Sequence, residues 1–148
     1  EFGVRPDIVC VGTVLTGCAE HGEAACAREV LGSMKARLGL SPNALCLNAV
    51  LKAFVSAGQV DAATRLLLGM QVEYGVLPTR IHVTSLLSGL AAVGHVDRCR
   101  EVVAHMRAHA AEAPTVTIAN LVLKAHVAAR DLGGAVQLLH GMHADFGV

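Results

Sequence analysis

Tryptophan is absent from the 148 residues, and only one tyrosine and three phenylalanines are present. The core must therefore be built from Leu, Val and Ala, which suits helix packed on helix. No apolar run approaches the roughly 18 residues of a membrane span, so the 53% apolar composition belongs to a packed interior. Net charge is missing too, with 12 Lys plus Arg against 12 Asp plus Glu. That argues against a partner held by bulk electrostatics, because nucleic-acid binders usually carry a basic excess. No CxxC occurs among Cys10, Cys18, Cys26, Cys46 and Cys99. Each stands where a small apolar residue would serve, so the reading is reduced, buried core thiols in a reducing compartment. GxSxG, P-loop and HExxH arrangements and clustered carboxylates are lacking, so no active site and no cofactor are expected. His105 and His109 lie one helical turn apart, and His140 and His143 nearly so, but neither pair has a third ligand. They read as solvated helix faces, with no metal.

What is present is a period. Proline recurs every 36 residues at Pro6, Pro42, Pro78 and Pro114, and methionine at Met34, Met70, Met106 and Met142. A turn glycine recurs at Gly22, Gly58 and Gly94, with Arg130 in the fourth place, and a small residue at Ala27, Ala63, Cys99 and Ala135. Four copies in register make the chain an array, with repeats at 8–43, 44–79, 80–115 and an incomplete 116–148 after a 1–7 tail of a preceding repeat. The opening Phe2-Gly3-Val4 and closing Phe146-Gly147-Val148 mark the same point of the repeat, so the expectation is an excerpt from a longer array.

Within repeat two, Leu45, Leu47, Val50, Leu51 and Phe54 recur at helical spacing, and Gly58 ends that helix. A second helix follows with Asp61 as its expected N-cap, and Ala63, Leu66, Leu67 and Met70 form its apolar face. The same face reads Ala27, Val30, Leu31 and Met34, then Cys99, Val102, Val103 and Met106, then Ala135, Leu138, Leu139 and Met142. Helices of about a dozen residues are marginal alone in water, so each hairpin has to bury a face on the next. The expected fold class is all-α, an α-solenoid of antiparallel helix-turn-helix repeats. Arg130 at the turn and Gly133-Gly134 at the start of the last helix are expected to weaken repeat four.

Asn48 early in the first helix, Gly58 in the turn, Ala63 and Met70 on the second helix, and Gly75 to Pro78 at the close together resemble the pentatricopeptide repeat. The resemblance covers essentially the whole chain. The tetratricopeptide repeat fits less well, since it wants aromatic residues at fixed places. The pentatricopeptide resemblance implies single-stranded RNA binding along a concave face, one base per repeat. It assigns base reading to the fifth residue of the first helix and the last residue of the repeat. Those pairs are Gly12 with Asn43, Asn48 with Thr79, and Thr84 with Thr115. Asn120 would find its partner beyond Val148, and Asp7 closes a repeat whose start is missing.

The family flanks each base with aliphatic side chains, and that position holds Val9, Leu45, Ile81 and Thr117. The family's backbone-contacting lysine is replaced by Glu20, Ser56, Ala92 and Ala128, and Lys52 and Lys124 are the possible phosphate contacts. The implied preference is any base, pyrimidine, purine, pyrimidine. Asp7, Asn43, Thr79 and Thr115 also suit plain N-caps, so they are read either as caps alone or as caps that also contact a base.

The function implied by the resemblance is RNA binding in organellar RNA processing, stability, editing or translation, in mitochondrion or plastid. The partner would be single-stranded or ribosomal RNA, with protein partners in a larger assembly, and no membrane. One alternative is a protein–protein or rRNA scaffold, such as a mitochondrial ribosome component. A further one is the RNA-binding part of an RNA-processing enzyme, such as a protein-only ribonuclease P, whose catalytic domain is outside this chain.

Overall fold

Among the described residues the spacing of apolar residues is realised as eight α-helices. The computed structural model describes residues 5–109 and 114–146. In order they are α1 (Ile8–His21), α2 (Ala24–Ser33), α3 (Ala44–Ser56), α4 (Val60–Tyr74), α5 (Arg80–Val93), α6 (Val96–His109), α7 (Val116–Ala128) and α8 (Leu132–Phe146). No strand occurs among the described residues. A π-helical turn, Met34–Leu38, extends α2.

The chain divides into two compact units, 1–76 and 77–148. In the first, α1 lies against α3, and α2 packs on both. The second repeats that plan, with α5 against α7 and α6 packed on both. The buried residues are those that the periodicity marks. Leu47, Val50 and Leu51 on α3 and Ala63, Leu67 and Met70 on α4 are wholly enclosed, as are Val83, Leu86, Leu87 and Leu90 on α5. Ala27, Ala63 and Cys99 are buried without residual exposure, so a larger side chain there would have to displace a neighbouring helix.

Each hairpin turn needs one left-handed residue. Gly22, Gly58 and Gly94 supply it at φ 66°, 73° and 72°, and Arg130 is forced to φ 58°. At Gly94 a second constraint applies, because a Cβ there would stand 2.9 Å from the Ala129 backbone nitrogen.

Four expectations are corrected. Asp61 is not the cap of α4: the helix starts at Val60 behind Gln59, and Asp61 falls inside its first turn. There its charge faces the positive end of the helix instead. Cys10 and Cys26 are exposed, while Cys18, Cys46 and Cys99 are buried. Cys46 is covered because α3 packs on α1, whereas Cys10, at the matching place on α1, has no such neighbour among the described residues. Burial pushes the Cys18 and Cys99 thiols up to about 11. Leu139 is exposed and Met142 half-buried, although their counterparts Leu67 and Met70 are enclosed. Among the described residues α8 packs on α7 alone, whereas α2 and α6 each have a first helix on either side.

The fourth correction concerns Gly134, which is a packing requirement and not a simple weakness. His126 at the end of α7 is fully buried and its Nδ1 lies 2.8 Å from Asp131 Oδ2. Asp131 also accepts the Gly134 N–H at 2.9 Å. That N–H, followed by the His126 ring, holds the Asp131 carboxyl below the usual carboxylate range. The imidazole lies so close over Gly134 that a Cβ there would meet its Cε1 and Nδ1 at 2.6 Å.

Substituting glycine in and out of this last turn should have opposite signs. Arg130→Gly should stabilise by about 1 kcal/mol, since it removes left-handed strain. Gly134→Ala should destabilise by about 1–2 kcal/mol, because the clash outweighs the roughly 1 kcal/mol gained in helix propensity. Urea denaturation of the two variants checks both signs, and a more stable Gly134→Ala would contradict the packing account.

Candidate nucleic-acid interface

The first helices carry the residues that the repeat register marks, and α1 and α3 bring six of them to one place. Between these helices runs an open groove of about 890 Å³, lined by Val9, Gly12, Asn43, Leu45, Asn48 and Lys52. Val9 and Leu45 are 69% and 77% exposed, which is unusual for aliphatic residues so close to a core. They are outside because the helix face that packs α1 on α3 places its second residue on the opposite side. Gly12 leaves the floor of the groove open, since no atom lies within 4 Å of where its Cβ would be.

Sequence reasoning passed over Thr13 and Thr16, which line the same groove. Their hydroxyls donate to their own helix, Thr13 to the Val9 carbonyl at 3.0 Å and Thr16 to the Gly12 carbonyl at 2.8 Å. Only acceptor lone pairs are left to face a ligand. No signal in the spacing separates these two threonines from solvated ones. Glu20 also lines the groove, which therefore carries one acidic group as well as Lys52.

In the second unit, Thr117, Asn120 and Lys124 line one pocket of about 670 Å³ on α7. Ile81, on α5, is 62% exposed. Thr84 is half-buried on α5, and its hydroxyl donates to the Arg80 and Ile81 carbonyls at 2.9 and 3.1 Å. It too is left as an acceptor.

The four repeat-closing residues differ in how they cap. Asp7 accepts the Cys10 N–H at 2.9 Å, and that bond holds its carboxyl below the usual range. Asn43 Oδ1 accepts the Cys46 N–H at 2.9 Å. The cap consumes the amide oxygen of Asn43, so its NH₂ group remains for a base edge. Capping and base contact are therefore compatible at Asn43. Thr79 forms a capping box with His82. Thr115 makes no side-chain cap bond, and its Oγ1 is buried with no hydrogen-bond partner among the described residues.

Away from this face, burial and then the nearby His109 lower the His105 pKa. Their rings lie 4.8 Å apart between centroids. Among the described residues no group of three His, Cys, Asp or Glu could hold a metal ion, and no helix is long and apolar enough to cross a membrane.

Comparison with known proteins matches residues 7–142 to the profile described as pentatricopeptide repeat-containing protein. The chain belongs to the pentatricopeptide repeat family. Its fold is shared with the crystal structure of PPR10 from maize, at a TM-score of 0.82 and 21% identity over 99% of this chain. The same maize protein in complex with an 18-nt psaJ RNA element aligns at a TM-score of 0.78 and 22% identity over 98% of this chain. This chain spans 21% of the length of either maize structure. The pentatricopeptide domain of Arabidopsis thaliana protein-only RNase P 1, solved with tRNA, aligns at a TM-score of 0.75 and 17% identity, covering 96% of this chain and 74% of that one. No match was found among curated protein sequences. The all-α solenoid expected from the period is thus the fold class of this pentatricopeptide chain.

If the Asn43 oxygen serves the cap, Asn43→Ala should lower stability by about 1 kcal/mol and Asn43→Asp should not. Thermal unfolding of the two variants checks this. Equal losses in both would show that the Oδ1 bond to Cys46 contributes nothing.

Proposed function

We propose that this pentatricopeptide array binds single-stranded RNA along its first-helix faces, as a binding and not a catalytic module. The reading is carried by one observation: the α1–α3 groove gathers aliphatic walls, an amide pair and one cation in a single trough. Val9 and Leu45 offer flat apolar contact to a base, Asn43 and Asn48 offer amide donors and acceptors to its edge, and Lys52 reaches for a phosphate. The maize and Arabidopsis neighbours are themselves described in complex with RNA, which supports the same use of the face here.

In the second unit the corresponding roles go to Ile81, Thr84 and Thr115, then to Thr117, Asn120 and Lys124. Asp7 and Thr79 are the remaining base-side positions. The biological setting we infer is RNA processing, stability, editing or translation in a mitochondrion or plastid.

A scaffold role in a ribonucleoprotein, with rRNA or protein on the same face, is the second reading. Glu20 and Lys52 lining the same groove favour it, because their opposite charges leave a phosphate backbone little net attraction there. As the RNA-binding part of a processing enzyme, the array would use the same contacts.

Titration of a randomised short RNA pool at several salt concentrations tests the proposal. The log–log salt slope should be only about −0.7 to −1.4, as expected for one or two phosphate contacts on single strands. A pyrimidine–purine–pyrimidine core should be enriched, and Asn48→Ala should abolish selection at one of its nucleotides. Absence of enrichment, or a steep slope indifferent to Asn48→Ala, would overturn sequence reading.

A further inference from the structure

Thr79 and Thr115 close successive repeats in the same register, yet their hydroxyls are in different states. Thr79 is flanked by His82, which is buried at 2% exposure on the first turn of α5. The Thr79 backbone N–H points at His82 Nδ1 across 3.1 Å. A backbone N–H can only donate, so Nδ1 carries no proton and the neutral ring holds its hydrogen on Nε2. The Thr79 Oγ1 lies 2.8 Å from the same Nδ1. Since Nδ1 is an acceptor, the hydroxyl must be the donor. The capping box adds the His82 backbone N–H as a donor to Oγ1. The Thr79 proton and one lone pair are thereby committed inside the protein, and one lone pair is left.

At the matching place after Thr115 stands Ile118, which can take no proton. The Thr115 hydroxyl is buried and has no hydrogen-bond partner among the described residues, so no neighbour fixes its direction. The repeats before these two carry Cys10 and Cys46 at the position of His82, behind Asp7 and Asn43. A buried imidazole here is particular to one repeat.

We propose that His82 is a specificity-determining positioning residue: by fixing the Thr79 hydroxyl as an acceptor, it restricts the base that Thr79 faces. The inference rests on the reading of Thr79 as an RNA-facing residue. The chemistry then selects. At the ring nitrogen of the Watson–Crick edge, uracil and guanine present an N–H, while cytosine and adenine present a lone pair. An acceptor-only Thr79 favours the first two and repels the others.

The test uses RNAs varied at a single nucleotide against the wild-type chain, Thr79→Val and His82→Cys. The last restores the residue found at this position in the two preceding repeats, so the helix keeps a side chain its own fold already tolerates. The nucleotide facing Thr79 is the one at which Thr79→Val changes selection. There the wild type should prefer U over C, and G over A, by about fivefold, the effect of one hydrogen bond. His82→Cys should reduce that preference to within about twofold without changing affinity for the favoured RNA more than about twofold.

A preference unchanged in His82→Cys overturns the inference and leaves RNA reading standing. Failure of every chain to bind RNA overturns both. Imidazole ¹⁵N spectra of the free protein separate the two cases: a proton on Nδ1 of His82 would sink the inference whatever the RNA result.

Discussion

The packing of first helix on first helix is the constraint from which the rest follows. A helix of this length gains too little from its own hydrogen bonds to persist alone, so α1 must cover α3, and α5 must cover α7. The buried face of these helices carries Leu47, Val50 and Leu51 in α3, and Val83, Leu86 and Leu87 in α5. The second residue of each first helix is then turned away from the core. Val9, Leu45 and Ile81 are exposed for this reason, and no separate cause needs to be invoked. Stability and the candidate interface are two sides of one helix face.

A second consequence concerns hydrogen-bond economy at the start of each first helix. The residue directly after each proline stands at the N-cap position, and it is also one of the positions proposed to face RNA. Asn43 meets both demands because an amide has an oxygen for the helix and a nitrogen for something else. A threonine has a single hydroxyl, so its availability depends on what stands three residues later. His82 takes up that hydroxyl after Thr79, and Ile118 does not after Thr115. Likewise the Thr13, Thr16 and Thr84 hydroxyls spend their protons on their own helices. The face is richer in acceptors than its composition suggests.

The helices and their turns were legible because they depend on periodicity and on single conformational requirements. Gly22, Gly58 and Gly94 mark the turns, and Arg130 adopts the same left-handed conformation despite its Cβ. What escaped the sequence depends on neighbours. Cys10 and Cys46 occupy the same place in successive repeats, yet only Cys46 has a helix laid over it. Leu139 matches Leu67 in pattern but not in surroundings. Gly134 looked like a weakness because the ring that requires it, His126, belongs to another helix. At the candidate site the sequence indicated which positions lie together in the α1–α3 groove, but not which hydroxyls are already engaged.

The account's central claim is that the face opposite the first-helix packing is where ligand lies. The most direct measurement is backbone and side-chain NMR shift mapping while a short single-stranded RNA is titrated into the labelled chain. Perturbations should cluster at Val9, Gly12, Asn43, Leu45, Asn48, Ile81, Thr84, Thr117 and Asn120. The contradicting result is a cluster on α2, α4 and α6 with those residues unmoved.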